Sequence, residues 1–218
     1  PGPVMIILAS SSIVWAEQDL DAAFGEEVKR IDAKIKLEDF TFLELVRTFP
    51  SLPVGECIKI YGAIGGVPGY MEHWDEKQSF KENICRLVLT EGGYLFDMAQ
   101  QVIASELREL SVYNTILSAI AQGHNKLNDL FLATGYSRAK ISVYMKNLSH
   151  FDIVEKVVSF ETGGWDNAKK GIYRIKDTFV NFWFKFVFPH MSDLYRLNAE
   201  EFYEKHIEQD LDSYMNRY

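Results

Sequence analysis

The side chains best placed to do chemistry are cations gathered in one stretch. Arg138, Lys140 and Lys146 recur through a segment that reads as a helix, and Lys169 and Lys170 stand together in a glycine-bearing loop beyond it. Such groups bind phosphate oxygens and, from a helix lying in a major groove, reach base edges. From Ser111 to Lys176 there are nine basic residues against five acids; in a chain of net charge −8 this leaves −12 for the rest. The whole chain repels phosphate, so binding to double-stranded DNA has to rest on this local patch. Other chemistry lacks its residues. The five histidines are scattered, with no HExxH motif and no nucleophile elbow. Cys57 and Cys85 belong to no CxxC or Cys/His ligand set, so both are expected as reduced core residues and no metal site is expected.

The elements that must position these cations form a winged helix-turn-helix. Val112, Ile116, Leu117 and Ile120 share a helical face until Gly123 supplies a stop. Leu127, Leu130 and Phe131 mark a short second helix closed by Gly135. Ser137 is placed to cap a third, with apolar positions Ile141, Val143, Tyr144 and Leu148. Ile153 to Phe160 and Ile172 to Ile175 read as strands of a hairpin, the wing, with Lys169 and Lys170 at its tip. Winged helices also serve as protein-docking modules, and that alternative stays open.

The chain of 218 residues, 47% hydrophobic, is long enough for one good core or two small ones. No apolar run is long enough to span a bilayer, and a cytoplasmic location is expected by default. The fold class expected is mainly α with a small β component: a helical lid, the winged helix-turn-helix, then C-terminal helices. The divisions are 1–52, 53–110, 111–176 and 177–218. Phe42, Leu45, Val46 and Phe49 form one core stripe, and Phe80, Ile84, Leu87 and Val88 another. Phe179, Phe182, Trp183, Phe184, Phe186, Val187 and Phe188 wrap more than one face of a helix, which requires burial inside the chain or against a partner or second copy. Leu197 to Tyr218 reads as one acidic amphipathic helix. Val4 to Ala9 reads as a strand buried on both faces, and the alternation Ile31, Ala33, Ile35, Leu37 is the only other strand candidate before residue 150.

A resemblance joins these pieces. Ile7-Leu8-Ala9-Ser10-Ser11-Ser12, Leu37-Glu38-Asp39-Phe40, the block Tyr61-Gly62-Ala63-Ile64-Gly65-Gly66-Val67-Pro68-Gly69-Tyr70, and Glu82-Asn83-Ile84 resemble the late part of the archaeal-type ATPases, of the STAND branch of the AAA+ class. Tyr113 to Gly123 and Tyr173 to Val187, with its Phe182-Trp183-Phe184-Lys185-Phe186-Val187 core, resemble the winged helix of that family and the region after it. The likeness extends over nearly the whole chain.

The resemblance implies an ATP-driven switch whose lid and winged helix couple nucleotide state to DNA or to a partner. It places Ser10 or Ser11 at a sensor position facing the terminal phosphate, and Gly66 and Pro68 where the lid packs on adenine. Hydrolysis requires a glycine-rich loop ending in Gly-Lys-Ser/Thr and an acidic strand end for Mg²⁺. Neither motif occurs in these residues, so ATP and Mg²⁺ are expected for an intact parent and neither for this chain alone, which is expected to be non-catalytic. Gly25-Glu26 stands where the family often has Gly-Arg, and Arg30 is poorly spaced to replace it. The family commonly continues into a restriction-endonuclease-like domain; no nuclease site is expected here. Read without the resemblance, Ser10 to Ser12 cap a helix and Gly65 to Pro68 bend the chain between two helices.

Overall fold

The computed structural model describes residues 4–10, 15–158 and 171–216. It divides into two compact units, residues 1–38 and 39–218. The division falls before Asp39 and not after residue 52, because Leu45 and Phe49, on the helix after Thr41, are buried in the core of the larger unit.

In the smaller unit the expected strand does not form. Val4 to Leu8 are 68–85% exposed and carry no ladder, and residues 31–37 have no regular structure. A two-faced apolar strand needs neighbours on both edges, and among the described residues the only sheet is the hairpin of the larger unit. What is regular here is a π-turn at Trp15–Asp19, helix α1 (Leu20–Phe24) and a 3₁₀ segment at Gly25–Arg30.

The larger unit is mainly helical with one small antiparallel sheet. Helix α2 (Phe42–Thr48) starts at a capping box in which the Glu44 N–H donates to the Thr41 hydroxyl and the Thr41 N–H donates to the Glu44 carboxylate. Helix α3 (Val54–Ile64) ends at Gly65, whose φ of 68° favours glycine, and α4 (Pro68–Met71) begins with proline at its first turn. A second capping box, Ser79 with Glu82, opens α5 (Phe80–Ile84), which continues as a π-turn through Leu89. Then come α6 (Met98–Glu106), α7 (Leu110–Ala121), α8 (Leu127–Thr134), α9 (Arg138–His150) and the hairpin β1 (Val154–Val157) with β2 (Ile172–Ile175). Helices α10 (Thr178–Phe186), α11 (Met191–Leu194), α12 (Ala199–His206) and α13 (Glu208–Met215) close the chain. The acidic segment is thus two helices, broken at Ile207, which lies fully buried and outside helical continuity.

Helix α10 occupies the centre. Phe179, Phe182 and Phe184 are fully buried, Trp183 and Phe186 nearly so, and the helix packs on α3, α6, α7 and β2. Tyr70 meets Phe179 edge to face at 5.4 Å, and Tyr214 meets both Phe182 and Phe186. Helices α2 to α13 and the hairpin therefore share one hydrophobic core. Cys57 and Cys85 are free and buried within it.

Candidate nucleic-acid interface

Three helices and a hairpin take the expected order. Helix α7 buries Val112, Ile116, Leu117 and Ile120, and α8 ends at Gly135 in the left-handed conformation, φ 70°. The Ser137 hydroxyl accepts from the Lys140 N–H at 3.2 Å and starts α9. The hairpin pairs Val154 with Ile175 and Val157 with Ile172. It is tied to the helices by the Tyr173 N–H, which donates to the Asn125 carbonyl at 2.7 Å, and by the Lys176 N–H, which donates to Ile153 at 2.9 Å. These bonds fix the wing beside the α7–α8 turn.

The outward face of α9 follows from its buried one. Ile141, Met145 and Leu148 face the core, so at about 100° per residue Ala139, Val143, Lys146 and His150 point away from it. Val143, expected on the apolar side, is 58% exposed, and Met145 takes the core position instead. Lys146 is exposed on the outer face beside Val143. Arg138 and Lys140 flank it on opposite sides. The Arg138 guanidinium donates to Asn128 at 2.9 Å and lies 4.7 Å over the Phe131 ring, which braces it against α8. The Lys140 ammonium sits 4.4 Å over Tyr136 and near Tyr144. The Tyr144 phenol donates to Glu109, which pushes its pKa up to about 12.

The described strands of the hairpin are electrically more neutral than their sequence suggests. Arg174 pairs across the strands with Glu155 at 2.5 Å, and Lys176 pairs with Asp152. Exposed pairs like these add little stability, but each offsets a cation that would otherwise face phosphate. Lys169 and Lys170 lie outside the described residues, as does Ser11.

The residues assigned to nucleotide by resemblance fall in different units. Ser10 is an exposed residue of the smaller unit. Gly66 and Pro68 come together in the bend between α3 and α4, where Gly66 is buried beneath the Phe40 backbone and Pro68 is exposed. Three residues of this region had no periodic signal in the sequence: His73, Arg86 and Tyr94, which turns in the chain bring into one cluster. Among the described residues no group of three or more His, Cys, Asp or Glu is arranged to hold a metal, and no helix is long and apolar enough to cross a membrane.

Comparison with known proteins finds a relative without an assigned role. The chain is 28% identical over 191 residues to the uncharacterized protein MJECL04 of Methanocaldococcus jannaschii. The aligned part is 86% of this chain and 42% of the relative, so the chain spans less than half the length of the protein it matches. No protein-family model matches the chain, and no solved structure matches it.

Proposed function

We propose that this chain is the lid and winged-helix portion of an ATP-dependent switch of the STAND/AAA+ kind, which in the cytoplasm couples nucleotide state to the binding of double-stranded DNA or a partner. The observation that carries the DNA arm is the outer face of α9. Lys146 is exposed there beside Val143, flanked by Arg138 and Lys140, and among the described residues none of these three cations pairs with a carboxylate. A cationic helix face with an apolar side chain at its centre suits a major groove, the lysines meeting phosphates and the apolar group meeting a thymine methyl. The coupling arm is α10, which packs against α3 of the lid and α7 of the winged helix, so a displaced lid carries the winged helix with it. ATP with Mg²⁺ belongs in this reading to the full-length protein, because the phosphate-binding loop is absent from these residues.

The alternative is a protein-interaction module without DNA or nucleotide binding. It is favoured by exposed apolar side chains on the same helices, Leu132 at 70% and Val143 at 58%. Its contact would be these side chains, since the aromatics of α10 are consumed by the core. Fluorescence anisotropy of labelled duplex DNA across a salt series, with and without ATP, decides between the two. Binding that weakens steeply with salt supports the switch arm; no binding at low salt supports the interaction module.

A further inference from the structure

Two clefts adjoin on the side of the larger unit formed by α3, α5 and α12, and Ser79 lines both. The first, of about 240 Å³, is walled by the apolar Leu52, Ile60, Trp74 and Phe80, with the half-buried Glu56 and Gln78 beside them. The second, of about 320 Å³, lies between Lys81, Glu82, Cys85 and Glu200. Together they make a groove that is apolar at one end and charged at the other.

Its walls are fixed by bonds within the fold. Ser79 and Glu82 are held by their capping box, residues 75–79 fold around the buried Asn83, and the Ser51 hydroxyl donates to Glu76, tying the turn before α3 to that loop. The Trp74 and Phe80 rings meet with centroids 5.8 Å apart. Helix α12 is fastened to α5 and its continuation by Lys81, which donates to Glu204 at 2.6 Å, and by the Cys85 thiol, which donates to the Ala199 carbonyl at 3.4 Å. A groove held in shape in this way needs little ordering when it is filled.

The charge around it has one sign. Lys59 pairs with Glu56 at 2.9 Å and Lys81 with Glu204, whereas among the described residues no cation pairs with Glu82, Glu200, Glu208 or Asp212. The acids of three helices converge here. Burial, then Glu208, Cys85, Glu56 and Asp212, raise the pKa of Tyr203, and the bond to Glu204, then Glu208 and Glu200, raise that of Lys81. The bonds from Ser79 lower the Glu82 pKa and keep that carboxylate ionised.

An apolar slot bordered by unpaired carboxylates is complementary to a segment that carries an apolar side chain next to a cation. We propose that this groove docks a basic peptide segment of a partner protein, with an apolar side chain in the Trp74 cleft and a neighbouring lysine or arginine against Glu82 and Glu200. At about 240 Å³ the apolar cleft falls below the roughly 300–1,000 Å³ of small-molecule sites and suits a single side chain. The groove uses no residue of α9 and no nucleotide, so the proposal goes beyond the function proposed above and fails separately from it.

Fluorescence anisotropy on the 218-residue chain tests it with a labelled decapeptide of lysine and glycine around one central leucine. A second probe has serine for the leucine, and a third has glutamate for each lysine. The leucine peptide is expected to bind about tenfold more tightly than the serine peptide, and Leu52→Ser to narrow that preference to about twofold. The glutamate peptide is expected not to bind. Glu200→Lys with Glu208→Lys is expected to weaken the leucine peptide by about tenfold. Glu26→Lys with Glu91→Lys changes net charge equally at exposed residues that line neither cleft, and is expected to weaken it by less than about twofold. A thermal melt establishes that each variant is folded. Equal binding of the leucine and serine peptides, or equal weakening by the two pairs of charge reversals, overturns the proposal. So does self-association in light scattering that Glu200→Lys with Glu208→Lys abolishes, which gives the groove to a second copy of the chain.

Discussion

A methyl group on the Cα of Gly66 would stand 1.9 Å from the Phe40 carbonyl oxygen. The two residues are also joined by the Phe40 N–H, which donates to the Gly66 carbonyl at 2.8 Å. This clasp holds the start of α2 on the bend after α3, and it explains the glycine without any ligand. Gly66→Ala must push two backbones apart. The expected cost is about 2–3 kcal/mol, as for other overpacked sites, which at this chain length lowers the melting temperature by roughly 4–12 °C. Gly69→Ala is the control, since its added methyl meets only the Tyr94 hydroxyl at 3.6 Å. Calorimetry showing equal melting temperatures for the two variants would overturn the clasp.

Asn83 makes a second prediction. Its side chain is the buried polar group around which residues 75–79 fold, through bonds to Asp75, Gln78 and Ser79. Asn83→Ala leaves several backbone groups without partners, at about 1–3 kcal/mol for each that water cannot reach. A loss of about 3 kcal/mol in urea unfolding is expected, with Asn83→Asp no better because a carboxylate cannot donate to three carbonyls. A variant within 1 kcal/mol of the parent would show that water replaces the network.

Local signals in this chain carry its helices and turns, and non-local ones carry its pairings. Ile116, Leu117, Gly135 and Ser137 were legible because burial at helical spacing, a left-handed helix stop and a cap are local signals. Val143 is apolar yet faces outward, because its angle on α9, set by Ile141 and Met145, decides which way it points. The Val4 to Ala9 run is apolar yet forms no strand, since a strand is made by its neighbours and these residues have none in the described structure. Of the candidate site, the cations of α9 could be read directly, but their pairing could not: Arg174 with Glu155 depends on strand register. His73, Arg86 and Tyr94 are joined across turns and share no period, so nothing in the sequence links them.

Stability should fall in mild acid because of the His190–His206 pair. The rings stack at 3.8 Å, and His206 and Lys205 both contact the Asp193 carboxylate. Burial, then the neighbouring His206, lowers the His190 pKa from its ordinary 6.5. The unfolded chain therefore binds the proton more readily, so stability is full above 6.5 and is lost as pH falls through that value toward the folded one. His190→Gln should flatten the slope between pH 5 and 7 in a series of thermal melts. The Asp193 carboxylate, held at about 2 by Lys205 and His206, gives a separate loss as pH falls from 3.8 toward 2. An unchanged slope in His190→Gln would assign the acid sensitivity to another group.

Asp177 carries the opposite sign. Its carboxylate caps α10 by accepting from the Val180 N–H at 2.8 Å, yet burial, reinforced by Asp39, raises its pKa above 3.8. The folded state binds this proton more readily, so its contribution to stability falls as pH rises from 3.8 through the folded value. Asp177→Asn keeps an oxygen for the cap and removes the charge. The variant should gain on the parent as pH rises from 4 to 7 in urea melts; a constant difference would show that the carboxylate is adequately solvated.

If α9 enters a groove, its cations should contribute unequally. Lys146 is exposed on the outer face with no aromatic or amide brace among the described residues, whereas the Lys140 ammonium rests over Tyr136 and Arg138 is braced on Asn128 and Phe131. A cation on a phosphate releases about one counterion, so Lys146→Ala should reduce the slope of log affinity against log salt by about 0.9. Lys140→Ala should reduce it less, because the ammonium must leave an aromatic face to reach DNA. Arg174→Ala should leave the slope near the parent's, since Glu155 already offsets that charge. Val143→Ser should keep the slope and weaken binding to thymine-containing sites alone, for an apolar side chain contacts a base methyl and no phosphate. Anisotropy titrations of the four variants would show that order. Equal slopes for Lys146→Ala and Arg174→Ala would remove α9 from the interface and leave its exposed Val143 to a protein partner.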